Sequence, residues 1–164
     1  MIINKIIVEK EFEFRVANKK DVDFLLGLIN EPEINEYLVN PAEQPISKKQ
    51  ELDWIQDYIN SNTSIALIVK FKNKRVGVIS VDDINKKDGS ASFGLIIKKD
   101  SRGMGIGKDV IKILTNKVSK KIKVKKFYSF IKKTNTRSIA LVKSVGFVLN
   151  KEKSKKNLVY FEFI

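Results

Sequence analysis

Three apolar stretches, residues 64–71, 75–81 and 90–98, are separated by connections of only a few residues. Connections that short can join only antiparallel neighbours, because a parallel pair needs a crossover of a dozen residues or more. The first stretch is near-continuously apolar, as expected of a strand covered on both faces. Lys72-Asn73-Lys74 and the turn ending in Gly89 punctuate the run. An antiparallel meander is therefore predicted at the centre of the chain, and everything else must pack around it.

The flanking segments have a different period. Residues 12–17 read as a strand, followed by a helix capped by Asn18 or Asp21 with Val22, Leu25, Leu26 and Ile29 on one face. Glu31-Pro32 should stop that helix, since proline disfavours helical backbone in the residue before it. Residues 40–45 read as a loop. Ser47 and Gln50 have capping-box spacing and open a second helix carrying Leu52, Ile55 and Ile59. After the meander come an amphipathic helix to about Lys120, a strand over 126–131 and a helix over 136–145. Gly146 then gives a helix stop, followed by paired strands over 147–151 and 158–163. The predicted order is β-α-α-β-β-β-α-β-α-β-β, an α/β domain with a mixed sheet spanning residues 1–164.

Composition removes several chemistries. The 164 residues contain no cysteine and no histidine. Disulfides, thiolate metal sites, cysteine nucleophiles and the usual triad base are thus excluded, and no metal is expected. No stretch reaches the ~18 apolar residues of a membrane span, and the first residues lack a long apolar core, so a cytoplasmic protein without a leader is expected. Charge is strongly asymmetric. Residues 1–62 hold 7 Lys/Arg against 12 Asp/Glu, whereas residues 63–164 hold 25 against 7. The second part generates a field that concentrates anions, although lysine-rich surfaces also arise with no such role. Only four of the 32 basic residues are arginine, which argues against sequence-reading of nucleic acid.

The meander ends in Phe93-Gly-Leu-Ile-Ile-Lys-Lys-Asp-Ser-Arg-Gly-Met-Gly-Ile-Gly-Lys108. Closely spaced glycines let backbone N–H groups converge, and a helix N-terminus adds partial positive charge, which together suit a phosphate or pyrophosphate. A flexible turn has the same composition. The segment is not a P-loop, because Arg102 and Asp109 stand where that motif needs glycine and a hydroxyl. It is not a dinucleotide fingerprint either, since Lys108 replaces the third glycine and a meander precedes it.

Arg102-x-x-Gly105-x-Gly107, after an apolar strand and opening an amphipathic helix, resembles the acyl-CoA pyrophosphate loop of the GNAT N-acetyltransferase superfamily. A second segment, Asn135-Thr-Arg-Ser-Ile-Ala-Leu-Val-Lys-Ser-Val-Gly-Phe147, is similar to the asparagine, helix and Gly-Phe that follow the fifth strand in that family. Asn30-Glu-Pro-Glu-Ile34 is closest in pattern to the branch of ribosomal-protein N-terminal acetyltransferases. The resemblance covers most of the chain and implies a largely antiparallel central sheet flanked by helices. Its implied co-substrate is acetyl-CoA. Backbone at Leu95, Ile96 and Ile97 would pair with the pantetheine arm, and amides of Arg102, Gly103, Met104, Gly105, Ile106, Gly107 and Lys108 would hold the pyrophosphate. Asn135 would bond the pantetheine, a role compatible with capping a helix.

Direct transfer needs a neutral amine and a proton for the departing thiolate. The family's tyrosine for that proton is replaced by Val142, so the resemblance points to Ser138 instead, which is otherwise an ordinary first-turn serine. Tyr160 and Tyr128 are fallback acids. For the base, Asp82 or Asp83 acting through water and Glu31, Glu33 or Glu36 between the first helices are the candidates, though each also fits a solvated surface charge. The implied acceptor is a primary amine, a protein N-terminus by the branch resemblance. Amino sugars on nucleotide carriers and polyamines are alternatives, as is a non-catalytic CoA-binding or basic nucleic-acid-associated module. Ribosome association would account for basic character without base readout. A monomer or homodimer is expected.

Overall fold

A computed structural model describes residues 7–41 and 43–164. Its centre is an eight-stranded sheet in the order β1-β2-β3-β4-β5-β6-β8-β7. The strands are β1 (Ile7–Glu9), β2 (Phe12–Val16), β3 (Ile65–Phe71), β4 (Lys74–Asn85), β5 (Ser90–Ile97), β6 (Lys126–Lys132), β7 (Val148–Asn150) and β8 (Leu158–Phe163). Every neighbouring pair is antiparallel except β5 and β6, which run parallel and pair only from Ser90↔Lys126 to Ser92↔Tyr128.

Helices cover both faces. On one lie α1 (Val22–Ile29) and α3 (Lys48–Asn60), whose Val22, Leu25, Leu28 and Ile55 bury against Ala66, Ile68 and Val78. On the other lie α4 (Ile106–Ile113), continued through a π turn at Leu114–Val118 into α5 (Ser119–Ile122), and α6 (Thr136–Ser144). Val110, Ile111, Leu114 and Val142 of these helices pack on Leu67, Ile79, Phe93, Phe127 and Phe161. Alternate residues of β3 thus enter opposite cores, which explains its unbroken apolar run.

The meander and the later elements follow the sequence reading closely. The capping box of Ser47 and Gln50 forms, with Gln50 N–H donating to Ser47 Oγ at 3.2 Å and Ser47 N–H to Gln50 Oε1 at 2.8 Å. Three differences have physical causes. Strand β1 was not expected; it pairs along β2 through a two-residue turn with Lys10 at φ 54°. Pro32 does more than stop α1. It is the first residue of a short helix, α2 (Pro32–Tyr37), where its missing N–H costs nothing. The predicted first helix also shifts its apolar stripe, burying Leu28 more deeply than Ile29. Residues 1–6, part of the expected leaderless start, and Ala42 of the expected 40–45 loop lie outside the described residues.

Candidate active site

Where β5 and β6 part company, the sheet has an internal gap. Lys98 N–H donates to Val76 O at 2.7 Å, and the register runs Val78↔Ile96 and Ser80↔Gly94. Alternation therefore turns the peptide groups of Gly94, Ile96 and Lys98 toward β4, and those of Phe93, Leu95 and Ile97 toward the gap. At its closed end the Ser129 hydroxyl donates to Phe93 O at 3.1 Å. At its open end Arg102 Nε donates to Ile97 O at 2.8 Å. Between them Leu95 offers both an N–H and a C=O to an extended ligand. Of the three strand residues singled out from sequence, Leu95 and Ile97 face the gap, while the backbone of Ile96 faces β4.

Beyond β5 a single 3-10 turn (Lys99–Ser101) leads to Gly103 at φ 77° and Gly105 at φ 78°, both left-handed. A Cβ at either position would meet nothing within 4 Å, so open space lies over the loop. Met104 between them is 62% exposed. Gly105 precedes α4, which has no side-chain cap. Its first intrahelical bond is Asp109 N–H to Gly105 O at 3.1 Å, so the N–H groups of Ile106, Gly107 and Lys108 lack helical partners. Gly107 differs from the others: a Cβ there would sit 3.1 Å from Leu141 Cδ2, so its small size brings α4 close to α6. An open, donor-lined concavity at a helix N-terminus fits a pyrophosphate.

Arg102 directs its guanidinium away from the glycines. It donates to Glu31 Oε2 at 2.6 Å and to Glu33 Oε2 at 3.1 Å, and is only 15% exposed. Lys99 stands 3.7 Å from Glu33. The Glu33 carboxylate is thus engaged in an ion pair on α2. The other end of α2 is held from β6, where Lys132 Nζ donates to Glu36 O at 2.8 Å. Helix α2 therefore ties the end of β5 to the end of β6 across the open mouth. Asn30 closes the segment behind it, donating to Ile46 O at 3.0 Å and accepting from Ile46 N–H at 2.8 Å.

The other predicted residues divide between the two faces. Asn135 caps α6, accepting from Ser138 N–H at 3.2 Å through Oδ1, which leaves its Nδ2 for another acceptor. Ser138 is half-buried in the first turn of α6, on the α4 side. Asp82 lies on the α3 side, where the Tyr58 hydroxyl donates to its Oδ1 at 2.6 Å. Burial pushes the Tyr58 phenol up, and its bond to Asp82 raises it further, so Tyr58 remains a donor. Tyr160 is buried on that same side. Its ring stacks on Tyr128 at 5.3 Å between centroids and meets Phe130 edge-on at 5.0 Å. Ser138 and Tyr160 consequently lie on opposite surfaces of the sheet. Sequence reading missed Tyr58, although its position three residues after Ile55 places it on the inward stripe of α3. It also missed the Arg102–Glu31 bond, for which a separation of 71 residues leaves no local signal.

Comparison with known proteins agrees with this fold. Residues 11–148 match the model of the acetyltransferase (GNAT) domain family. No curated protein sequence gives a significant match. Among solved structures, spermidine N-acetyltransferase from Vibrio cholerae in complex with CoA and spermine is similar at TM-score 0.84 and 18% identity, covering 94% of this chain and 96% of that one. The Salmonella typhimurium acetyl transferase that modifies the N-terminal serine of a 50S ribosomal subunit protein is similar at TM-score 0.83 and 20% identity, covering 98% and 99%. The Microcin C7 self immunity acetyltransferase in complex with acetyl-CoA and AMP is similar at 0.81 and 21%, covering 95% and 93%.

Proposed function

The chain belongs to the acetyltransferase (GNAT) family, and we propose that it moves acetyl from acetyl-CoA to the α-amine of a polypeptide by direct attack in a ternary complex. The observation that carries this reading is the gap. A parallel pair that stops at Ser92↔Tyr128 leaves Leu95 free to bond an extended arm, directly in line with the glycine concavity. Acetyl-CoA is the co-substrate. Leu95 and Ile97 would hold the pantetheine arm with Asn135 Nδ2, and the amides from Gly103 to Lys108 the pyrophosphate. That arrangement sets the thioester near the closed end, between Ser138 on one surface and Asp82 on the other.

The amine nitrogen attacks the thioester carbonyl, the C–S bond breaks, and the thiolate takes up a proton. Ser138 is the residue suited to hydrogen-bond the departing sulfur. Asp82, fixed by Tyr58, is suited to accept the amine's proton through a water. An α-amine with a pKa near 8 needs little help to become neutral, whereas a lysine near 10.4 needs much more. Glu33, engaged by Arg102, contributes to positioning α2. Tyr160, buried among aromatic rings, contributes to the floor of the acceptor side. A second reading, a polyamine acceptor, draws on Asp82, Asp83 and Asp88 at the closed end.

Calorimetric titration with acetyl-CoA, CoA and ATP tests the co-substrate site. Binding of both thioester and free CoA at about micromolar Kd, with ATP much weaker, is expected. Equal binding of all three would reduce the loop to a general anion site. Release of free thiol with a serine-initiated peptide, compared with spermidine, then separates the two acceptor readings.

A further inference from the structure

The acceptor side of the gap is bordered by a cluster of lysines that the transfer chemistry does not use. Residues 132–156 carry seven lysines and one arginine against a single acid, Glu152. Four of these eight basic residues sit on the β7–β8 connection, and that connection is well built. The Ser154 hydroxyl donates to Asn150 O at 2.7 Å and accepts from Tyr160 N–H at 3.0 Å. Lys155 N–H donates to Leu158 O at 2.8 Å, and Lys133 N–H donates to Asn157 O at 3.1 Å, joining the connection to the one that follows β6.

The ammonium groups are placed as well as the backbone. Lys155 Nζ lies 5.0 Å from the centroid of Phe130, two residues along β6 from Tyr128, where its pairing with β5 ends. Lys153 Nζ lies 5.0 Å from the Tyr160 ring and 3.3 Å from Glu162. Among the described residues Lys133, Lys155 and Lys156 form no ion pair, and all three are exposed. The Phe130 ring under the Lys155 stem holds that charge at the rim without neutralising it.

We propose that Lys133, Lys155 and Lys156 form a docking surface for an acidic polypeptide, so that the preferred acceptor is a protein whose residues shortly after its N-terminus are aspartate and glutamate. The inference rests on the peptide-acceptor reading above and narrows it. Charge around the gap runs in the matching direction. Asp82 and Asp83 lie near the closed end, where a terminal ammonium would arrive, and the lysines lie outside it, where the following residues would pass. Nucleic acid offers the same anionic charge without an amine to present to the closed end.

The test uses the full chain and three probes. The first is a twelve-residue peptide with a free N-terminal serine, acidic residues at its fourth to eighth positions and fluorescein at its C-terminus. The others are the same peptide with those acids replaced by glutamine, and a single-stranded RNA dodecamer. Two triple variants carry an identical charge change: K133E/K155E/K156E at the rim, and K20E/K120E/K121E elsewhere. Fluorescence anisotropy at physiological salt is expected to show the acidic peptide bound, and weakened at least about tenfold by the rim variant but less than about threefold by the remote one. Acetyl-CoA affinity should be the same in the rim variant and the wild type. No binding, equal loss in both variants, or RNA bound more tightly than the acidic peptide would each overturn the proposal. Because anisotropy needs no turnover, a peptide that binds but is never acetylated would instead overturn the peptide-acceptor reading.

Discussion

Substitutions at two residues, Gly105 and Ser138, test the proposed binding and the proposed chemistry separately. Gly105 combines a left-handed backbone with open space above it. Glutamate there brings about 1–2 kcal/mol of backbone strain, and it also sets a negative charge where the pyrophosphate would lie. Gly105→Glu is expected to lose acetyl-CoA binding by calorimetry while the fold, followed by circular dichroism, persists. Retained tight binding would remove the loop from the site. Ser138→Ala makes the opposite split. Its hydroxyl is not part of the Asn135 cap, which uses the Ser138 backbone N–H. Loss of one hydrogen bond to a charged sulfur corresponds to about 1.5–3 kcal/mol. Turnover should fall at least tenfold with KM for acetyl-CoA unchanged, and an unaltered kcat would take the serine out of the mechanism.

Helix α2 is the element that the local code conceals. Its six residues hold no buried apolar side chain, so no periodicity announces it, and Glu31-Pro32 reads as a stop because it is one. The glycine loop and the Asn135 cap were legible because each is a local conformational demand written over a few residues. The placement of α2 is instead set by long-range bonds from Arg102 and Lys132. The division of β5 into gap-facing and β4-facing peptides was equally hidden. It depends on a register that only the assembled sheet defines. Replacing Arg102 by lysine keeps the charge but cannot reproduce the three donated bonds to Ile97, Glu31 and Glu33. The expected outcome is a KM for the acceptor raised about tenfold, since α2 borders the proposed acceptor side, with acetyl-CoA affinity changed less than about threefold because the proposed pyrophosphate contacts are main-chain. An unchanged acceptor KM would show that the position of α2 is immaterial to the reaction.

At the scale of the whole molecule, two buried carboxyl groups pull stability in opposite directions as pH changes. Asp21 is 1% exposed and joins three parts of the fold. It accepts two bonds from Arg15 of β2 at 2.6 and 2.8 Å, one from Asn18 N–H at 2.9 Å, and one from Arg75 of β4 at 3.3 Å. Burial opposes its ionisation, but these donors outweigh it and hold the carboxyl below the ordinary value. Asp21 therefore contributes stability above the ordinary carboxylate range, and that contribution is lost as pH falls through its folded value. Glu51 is 7% exposed, and burial raises it from 4.5 to about 6. The fold favours its protonated form, so its contribution is complete below pH 4.5 and declines as pH rises to about 6. Above that, an ionised Glu51 costs about 2 kcal/mol relative to a neutral side chain of the same shape. Glu51→Gln should thus raise the stability measured by urea denaturation at pH 7 by about 1–2 kcal/mol, and by almost nothing at pH 4. Asp21→Asn should do the reverse, lowering stability at pH 7 by about 3 kcal/mol by leaving Arg15 and Arg75 without their anion. A Glu51→Gln protein less stable than the parent at neutral pH would mean that this carboxylate is held by a donor, and that its burial serves the fold as an ion.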